Sequence, residues 1–241
     1  MLELDTLLKL SHLKLTYGDL LPRWDQESDA SLARLKTVEV SIGVPAVGGG
    51  AQNNGNLAQW NPAGFERMAN LEAVRLDFRG DKILVIKLNS VLSLQRLRHV
   101  HIDLQIEGPA GFWSVLNSVE QVEGGSFTQI EKLKLKVSST GLRENAYVLS
   151  LYDGETALVP RFLSVFPNVK VLKLTLFGCP GCPGWVFSKI QKHFLGLSEI
   201  FFEPVVPALV PRWRELLGAG WSVECNRSKI HCRTTHSKEI Q

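Results

Sequence analysis

A short apolar pattern returns seven times along the chain, and it narrows the choice of fold more than any composition figure does. It reads Leu13-x-Leu15, Val38-x-Val40-x-Ile42, Val74-x-Leu76-x-Phe78, Val100-x-Ile102-x-Leu104-x-Ile106, Leu133-x-Leu135-x-Val137, Leu172-x-Leu174-x-Leu176 and Ile200-x-Phe202. Side chains alternate in direction along a strand, so each segment predicts a short strand with one buried face. The first anchors, Leu13, Val38, Val74, Val100, Leu133, Leu172 and Ile200, are separated by 25, 36, 26, 33, 39 and 28 residues. A recurrence in this range signals repeated supersecondary units, and the unequal spacing signals insertions.

Three positions before each anchor stands another apolar residue: Leu10, Leu35, Leu71, Leu97, Ile130, Val169 and Leu197. Between the strands the pattern turns helix-like, with helix punctuation. Asn61-Pro62 leads into Phe65 and Met68, and Ser90 precedes Val91, Leu94 and Leu97. Pro160 opens a run that Pro167 and Asn168 close, Pro183 precedes Val186, Ile190 and Phe194 ahead of Gly196, and Pro211 precedes Trp213, Leu216 and Leu217 ahead of Gly218. Strands joined by helical crossovers are expected to be parallel. A doubly wound sheet would bury both strand faces and read as continuous apolar runs. Here the strands alternate with Lys14, Glu39, Arg75, Asp77, Asp103, Lys134, Lys136 and Lys173, and no strand ends in a glycine-rich phosphate loop.

The L-x-x-L-x-L spacing resembles the leucine-rich-repeat superfamily, and most closely the irregular intracellular repeats of F-box proteins. The carrying segment is Phe166-Pro167-Asn168-Val169-Lys170-Val171-Leu172-Lys173-Leu174-Thr175-Leu176-Phe177-Gly178-Cys179, which is similar to the F-P-N-L-x-x-L-x-L opening and cysteine-containing repeat of that group. The other units match the L-x-x-L-x-L part alone. The resemblance implies an α/β solenoid with a curved parallel sheet on its concave face and helices on its convex face. It also implies recognition of a protein partner or substrate, without catalysis. No F-box sequence precedes the first repeat at Leu10, so recruitment of a ubiquitin-ligase scaffold is not expected. The asparagine ladder of extracellular repeats is not visible either. The expected organisation is one solenoid over 1–241, with an insertion at 43–64 (GVPAVGGGAQNNGN and its flanks), a second irregular stretch from Ser138 to Thr156, and a capping segment at 207–241.

Composition supplies exclusions. The net charge of +3 lies too near neutral to mark a nucleic-acid protein. The excess is local: after Pro207 stand Arg212, Arg214, Arg227, Lys229, Arg233 and Lys238 against Glu215, Glu224 and Glu239. A solvated end cap explains that tail, since terminal repeats need a polar outer face. No apolar run reaches the roughly 20 residues of a membrane span, and Glu3 and Asp5 stand where a signal peptide is positive. A cytoplasmic or nuclear address is expected, and no cofactor.

Several candidate chemistries are weighed against plainer readings. Cys179-Pro180-Gly181-Cys182 has zinc-knuckle or redox spacing, and Cys225, Cys232, His231 and His236 are the residues that would complete a site. A second close pair is lacking, however, and the repeat alignment accounts for Cys179. His101 points out of the sheet beside Asp103, but no nucleophile elbow accompanies it. Gly48-Gly49-Gly50 lacks the lysine and hydroxyl of a phosphate loop. What remains is the outward face of the strands. Lys14, Glu39, Arg75, Asp77, His101, Asp103, Lys134, Lys136, Lys173 and Phe201 are expected to line up as one exposed, partner-binding ribbon.

Overall fold

The computed structural model describes residues 11–16, 29–43, 65–79, 88–106, 126–139, 158–176, 194, 196–203, 210–226 and 229–235. These form a mixed α/β structure around a nine-stranded, mostly parallel sheet. The seven expected strands are all present. They are β1 (His12–Thr16), β2 (Thr37–Gly43), β3 (Ala73–Arg79), β4 (His99–Ile106), β5 (Lys132–Ser139), β6 (Val171–Leu176) and β7 (Glu199–Glu203). They lie side by side in chain order, each parallel to the next.

The repeated anchors fall into register. Val38, Val74, Val100, Leu133, Leu172 and Ile200 are successive partners, and two residues on so are Val40, Leu76, Ile102, Leu135, Leu174 and Phe202. None of these twelve is more than 2% exposed. Burying such a side chain contributes about 1.5–3 kcal/mol, so these two rungs fix the register, because a slip by one residue would expose them all. Against this face pack α1 (Asp29–Ala33), a 3₁₀ turn (Phe65–Arg67), α2 (Leu88–Leu92), α3 (Leu158–Ser164) and α4 (Val210–Leu217). They place Leu32, Phe65, Val91, Phe162 and Trp213 in the same continuous core as the strand anchors.

The approach to each of β2 to β7 is built alike. The N–H groups of Leu35, Leu71, Leu97, Ile130, Val169 and Leu197 each donate to the carbonyl three residues earlier, on Leu32, Met68, Leu94, Phe127, Phe166 and Phe194. The apolar residue ahead of each of β2 to β7 is therefore the end of a tight turn whose other end is also apolar. One residue further on, a carbonyl in each unit accepts two N–H groups from the next: Ser11 from Lys36 and Thr37, Lys36 from Glu72 and Ala73, Glu72 from Arg98 and His99. Arg98, Glu131 and Lys170 continue the series. The side chains of this row alternate in sign, Lys36, Glu72, Arg98, Glu131, Lys170, with ion pairs at Lys36–Glu72 (3.7 Å) and Lys170–Glu131 (3.4 Å).

A third linkage runs through side chains. Asn70 Nδ2 donates to the Ala33 carbonyl at 2.7 Å, Gln129 Nε2 to that of Leu92, and Asn168 Nδ2 to that of Thr128 at 2.8 Å. Each of these amides stands immediately before the upstream apolar residue of its unit, Leu71, Ile130 or Val169, and reaches back into the previous unit. These three amides, one of them a glutamine, tie neighbouring units together through side-chain bonds.

Helix ends differ from expectation in two places. Ser90 lies inside α2, which begins at Leu88, and Pro160 is the third residue of α3 rather than its first. Proline is tolerated there because the first-turn N–H groups have no partner within the helix. Gly218 does end α4: its φ is +76°, and its N–H donates to the Arg214 carbonyl at 3.1 Å. The C-terminal segment holds more than a helix and tail. β8 (Trp221–Asn226) and β9 (Lys229–Thr234) form an antiparallel hairpin that extends the sheet in the order β7-β9-β8. Apart from Gly43, the expected 43–64 insertion lies outside the described residues, as do 140–156 and most of the helix expected after Pro183.

Candidate functional site

Strand alternation sends every second side chain to the face opposite the core. There Lys14, Glu39, Arg75, His101, Lys134, Lys173 and Phe201 are consecutive partners in register, and β9 adds His231. A second rung runs Ser41, Asp77, Asp103, Lys136, Thr175 and Glu203. All ten expected surface residues therefore share one face, and at strand spacing the longer rung is on the order of 30 Å.

Their exposure is uneven. Asp77 and Asp103 were expected on an exposed ribbon, and both are only 4% exposed. Neighbouring side chains cover them: Arg75 Nε donates to Asp77 Oδ1 at 3.0 Å, Ser41 Oγ to Asp77 Oδ2 at 3.2 Å, and Lys136 Nζ to Asp103 Oδ2 at 2.8 Å. These two carboxylates anchor the ribbon from below. One ligating atom each from Asp77, His101 and Asp103 lies within 4.8 Å of the others, the one such group of three among the described residues.

Ion pairs occupy both flanks. Lys14 meets Glu39 at 3.4 Å on one side, while Lys229–Glu203 (3.4 Å) and Arg233–Glu199 (3.5 Å) lie on the other. The centre is different. Among the described residues, Lys132, Lys134 and Lys173 have no carboxylate partner. Lys173 Nζ instead sits 4.4 Å above the Phe201 ring, and Phe201 stacks on His231 with centroids 4.0 Å apart. Two open depressions, of about 590 and 660 Å³, share Arg75, His101, Lys134 and Lys173 as lining.

The electrostatics record this crowding of cations. Burial pushes the Lys134 ammonium below its ordinary range, and Arg75 pushes it further the same way. Burial lowers the His101 imidazole to about 4, assisted by Lys134 and Arg75, so it is neutral at pH 7. Arg75 is raised, chiefly by its hydrogen bond to Asp77. His231 is lowered by burial and then by Arg233.

The alternative zinc set fares differently. Cys179 and Cys182 lie outside the described residues. Cys225 is exposed on β8, whereas Cys232 is fully buried opposite Val223, its thiol pushed up to about 12 by burial, which is the setting of an apolar packing residue. Neither belongs to a group of three ligating side chains among the described residues. His231, first considered with those cysteines, faces Phe201 instead. The alternation in Lys229-Ile230-His231-Cys232 is the sequence signal that places it there.

Among the described residues no helix is long and apolar enough to cross a membrane. No family model, no curated protein and no solved structure matches the chain, so its function has to be read from the geometry above.

Proposed function

We propose that the chain is a non-catalytic recognition module of the leucine-rich-repeat type, an irregular solenoid that holds an acidic segment of a partner protein across its polar sheet face. Three regularities support the repeat reading: the tight turn before each of β2 to β7, the single register of the anchors and the shared core. The observation that carries the functional reading is the group of Lys132, Lys134 and Lys173, which among the described residues lacks carboxylate partners while both flanks are internally paired. A cation held among like charges gains when a carboxylate arrives, and complementary charge gives specificity and encounter rate. From Arg75 on β3 to Lys173 on β6 is about 14 Å at strand spacing, the reach of roughly four extended residues. Phe201 and His231, stacked at the end of that track, offer a platform for one apolar or aromatic residue. A polyphosphate backbone fits less well, because Glu39 and Glu199 close the basic stretch on either side.

The test is fluorescence anisotropy with a labelled hexaglutamate peptide ending in tryptophan, at low and physiological salt. Lys134→Ala and Lys173→Ala are each expected to weaken binding by about fivefold or more. Arg212→Ala, on the exposed side of α4, is expected to leave it unchanged. Equal affinity for all three variants would remove the reading.

A further inference from the structure

We propose that Asp77, His101 and Asp103 form a binding site for a divalent transition-metal ion of the zinc class, set in the polar face beside the lysine group. The three residues are brought together by register alone. Asp77 and Asp103 are direct partners on β3 and β4, and His101 stands two residues before Asp103 on the same face. A ligating atom from each lies within 4.8 Å of the other two. One imidazole and two carboxylates make a three-ligand set of the open kind, with a coordination position left for water or a guest.

A second observation concerns atoms that want a partner. Asp103 is 4% exposed, and its Oδ1 is buried with no hydrogen bond; the buried Nε2 of His101 also has none. Folded proteins leave few such atoms unsatisfied, and each costs on the order of 1–3 kcal/mol. Of the four buried side-chain atoms without a partner among the described residues, two belong to this one cluster. A metal ion between them satisfies both at once.

Both carboxylates are also held in place by hydrogen bonds from neighbouring side chains, as metal ligands commonly are, and both oxygens of Asp77 take part in them. Lys136 fixes Asp103 Oδ2, while Arg75 and Ser41 fix Asp77. These two cations already offset the two carboxylates, and that bears on which ion fits. Calcium and magnesium rely on carboxylate charge and a larger shell of oxygens, neither of which is offered here. An ion that gains from imidazole nitrogen, such as Zn²⁺ or Co²⁺, suits the donor set, and the nearby positive charge keeps its affinity modest.

The experiment uses the full chain with Cys179→Ser and Cys182→Ser, which removes the competing thiol pair. Calorimetric titration with zinc chloride and absorption spectroscopy with cobalt(II) chloride are the readouts. Expected is uptake of about one ion per chain, with ligand-field bands and no thiolate charge-transfer band. His101→Gln and Asp103→Asn are each expected to lower the affinity by at least about tenfold. His101→Gln alters a half-buried residue on the face opposite the core, so it decides the matter if Asp103→Asn fails to fold by circular dichroism. Absence of stoichiometric uptake, or uptake that His101→Gln does not weaken, overturns the site. Neither result touches the hexaglutamate test of the lysine group.

Discussion

Removing Lys136 tests whether the polar face is a structural element as well as a surface. Its ammonium supplies the hydrogen bond to Asp103 Oδ2, at 2.8 Å, and Asp103 Oδ1 has none. Lys136→Met keeps the aliphatic stem and deletes the charge, leaving a carboxylate that is 4% exposed without a donor. Breaking a fully buried ion pair costs about 3–5 kcal/mol, and a hydrogen bond to a charged group contributes about 1.5–3 kcal/mol net. The Lys136 side chain is 28% exposed, so water reaches the vacated position in part. That selects the lower range, about 2–3 kcal/mol. Asp103→Asn/Lys136→Met removes both charges, and its destabilisation is expected to fall short of the sum of the two single changes by about 1.5 kcal/mol or more. The assay is urea unfolding at pH 7 with chelator present, followed by circular dichroism and tryptophan fluorescence. Coincidence of the two curves establishes the two-state condition that the arithmetic needs. If Lys136→Met unfolds within about 0.5 kcal/mol of the parent, as an ordinary surface change does, the carboxylate is satisfied by solvent and the argument from its burial fails.

Three further outcomes are expected. Gln129→Leu removes the amide that reaches the Leu92 and Leu94 carbonyls, and it should cost about 1–2 kcal/mol by the same unfolding assay; an unchanged midpoint would mean that these units are not linked there. His101, ordinarily titrating at 6.5, is lowered to about 4 by burial, then by Lys134 and Arg75 and against the pull of Asp77 and Glu39. The unfolded chain therefore binds a proton that the folded chain refuses. The His101 contribution to stability should fall as pH drops from about 6.5 to about 4, by about 1 kcal/mol once solvent screening is allowed for, while His101→Gln in chelator should lack that part of the slope. Site-resolved alkylation at pH 8 should modify exposed Cys225 readily and Cys232 only on unfolding, and equal rates would contradict the burial of Cys232.

The sheet was legible because its signal is doubly redundant. Each of β1 to β7 carries an alternation of period two and an apolar residue three positions upstream, so Val100 or Leu133 is placed by both at once. Alternation also gave the direction of every side chain on the polar face. It could not give depth. Asp77 and Asp103 alternate like Arg75 and Lys134, and their burial depends on Ser41 and Lys136 from strands 33 or 36 residues away in sequence. The β8/β9 hairpin was missed for a related reason: β8 buries only Val223, so its pattern is mostly polar and resembles a solvated tail. The amide series has no local mark beyond an Asn or Gln before the upstream apolar residue, and its bonds span 37 to 40 residues.

The sign sequence of the row Lys36, Glu72, Arg98, Glu131, Lys170 carries a consequence for how such a chain tolerates rearrangement. Each contact is solvent-exposed and individually weak. Excising any single interior member nonetheless sets two like charges side by side, whereas excising an adjacent couple restores opposite neighbours. The row thus behaves as a parity check on unit order: loss or duplication of modules is electrostatically neutral in twos and penalised in ones.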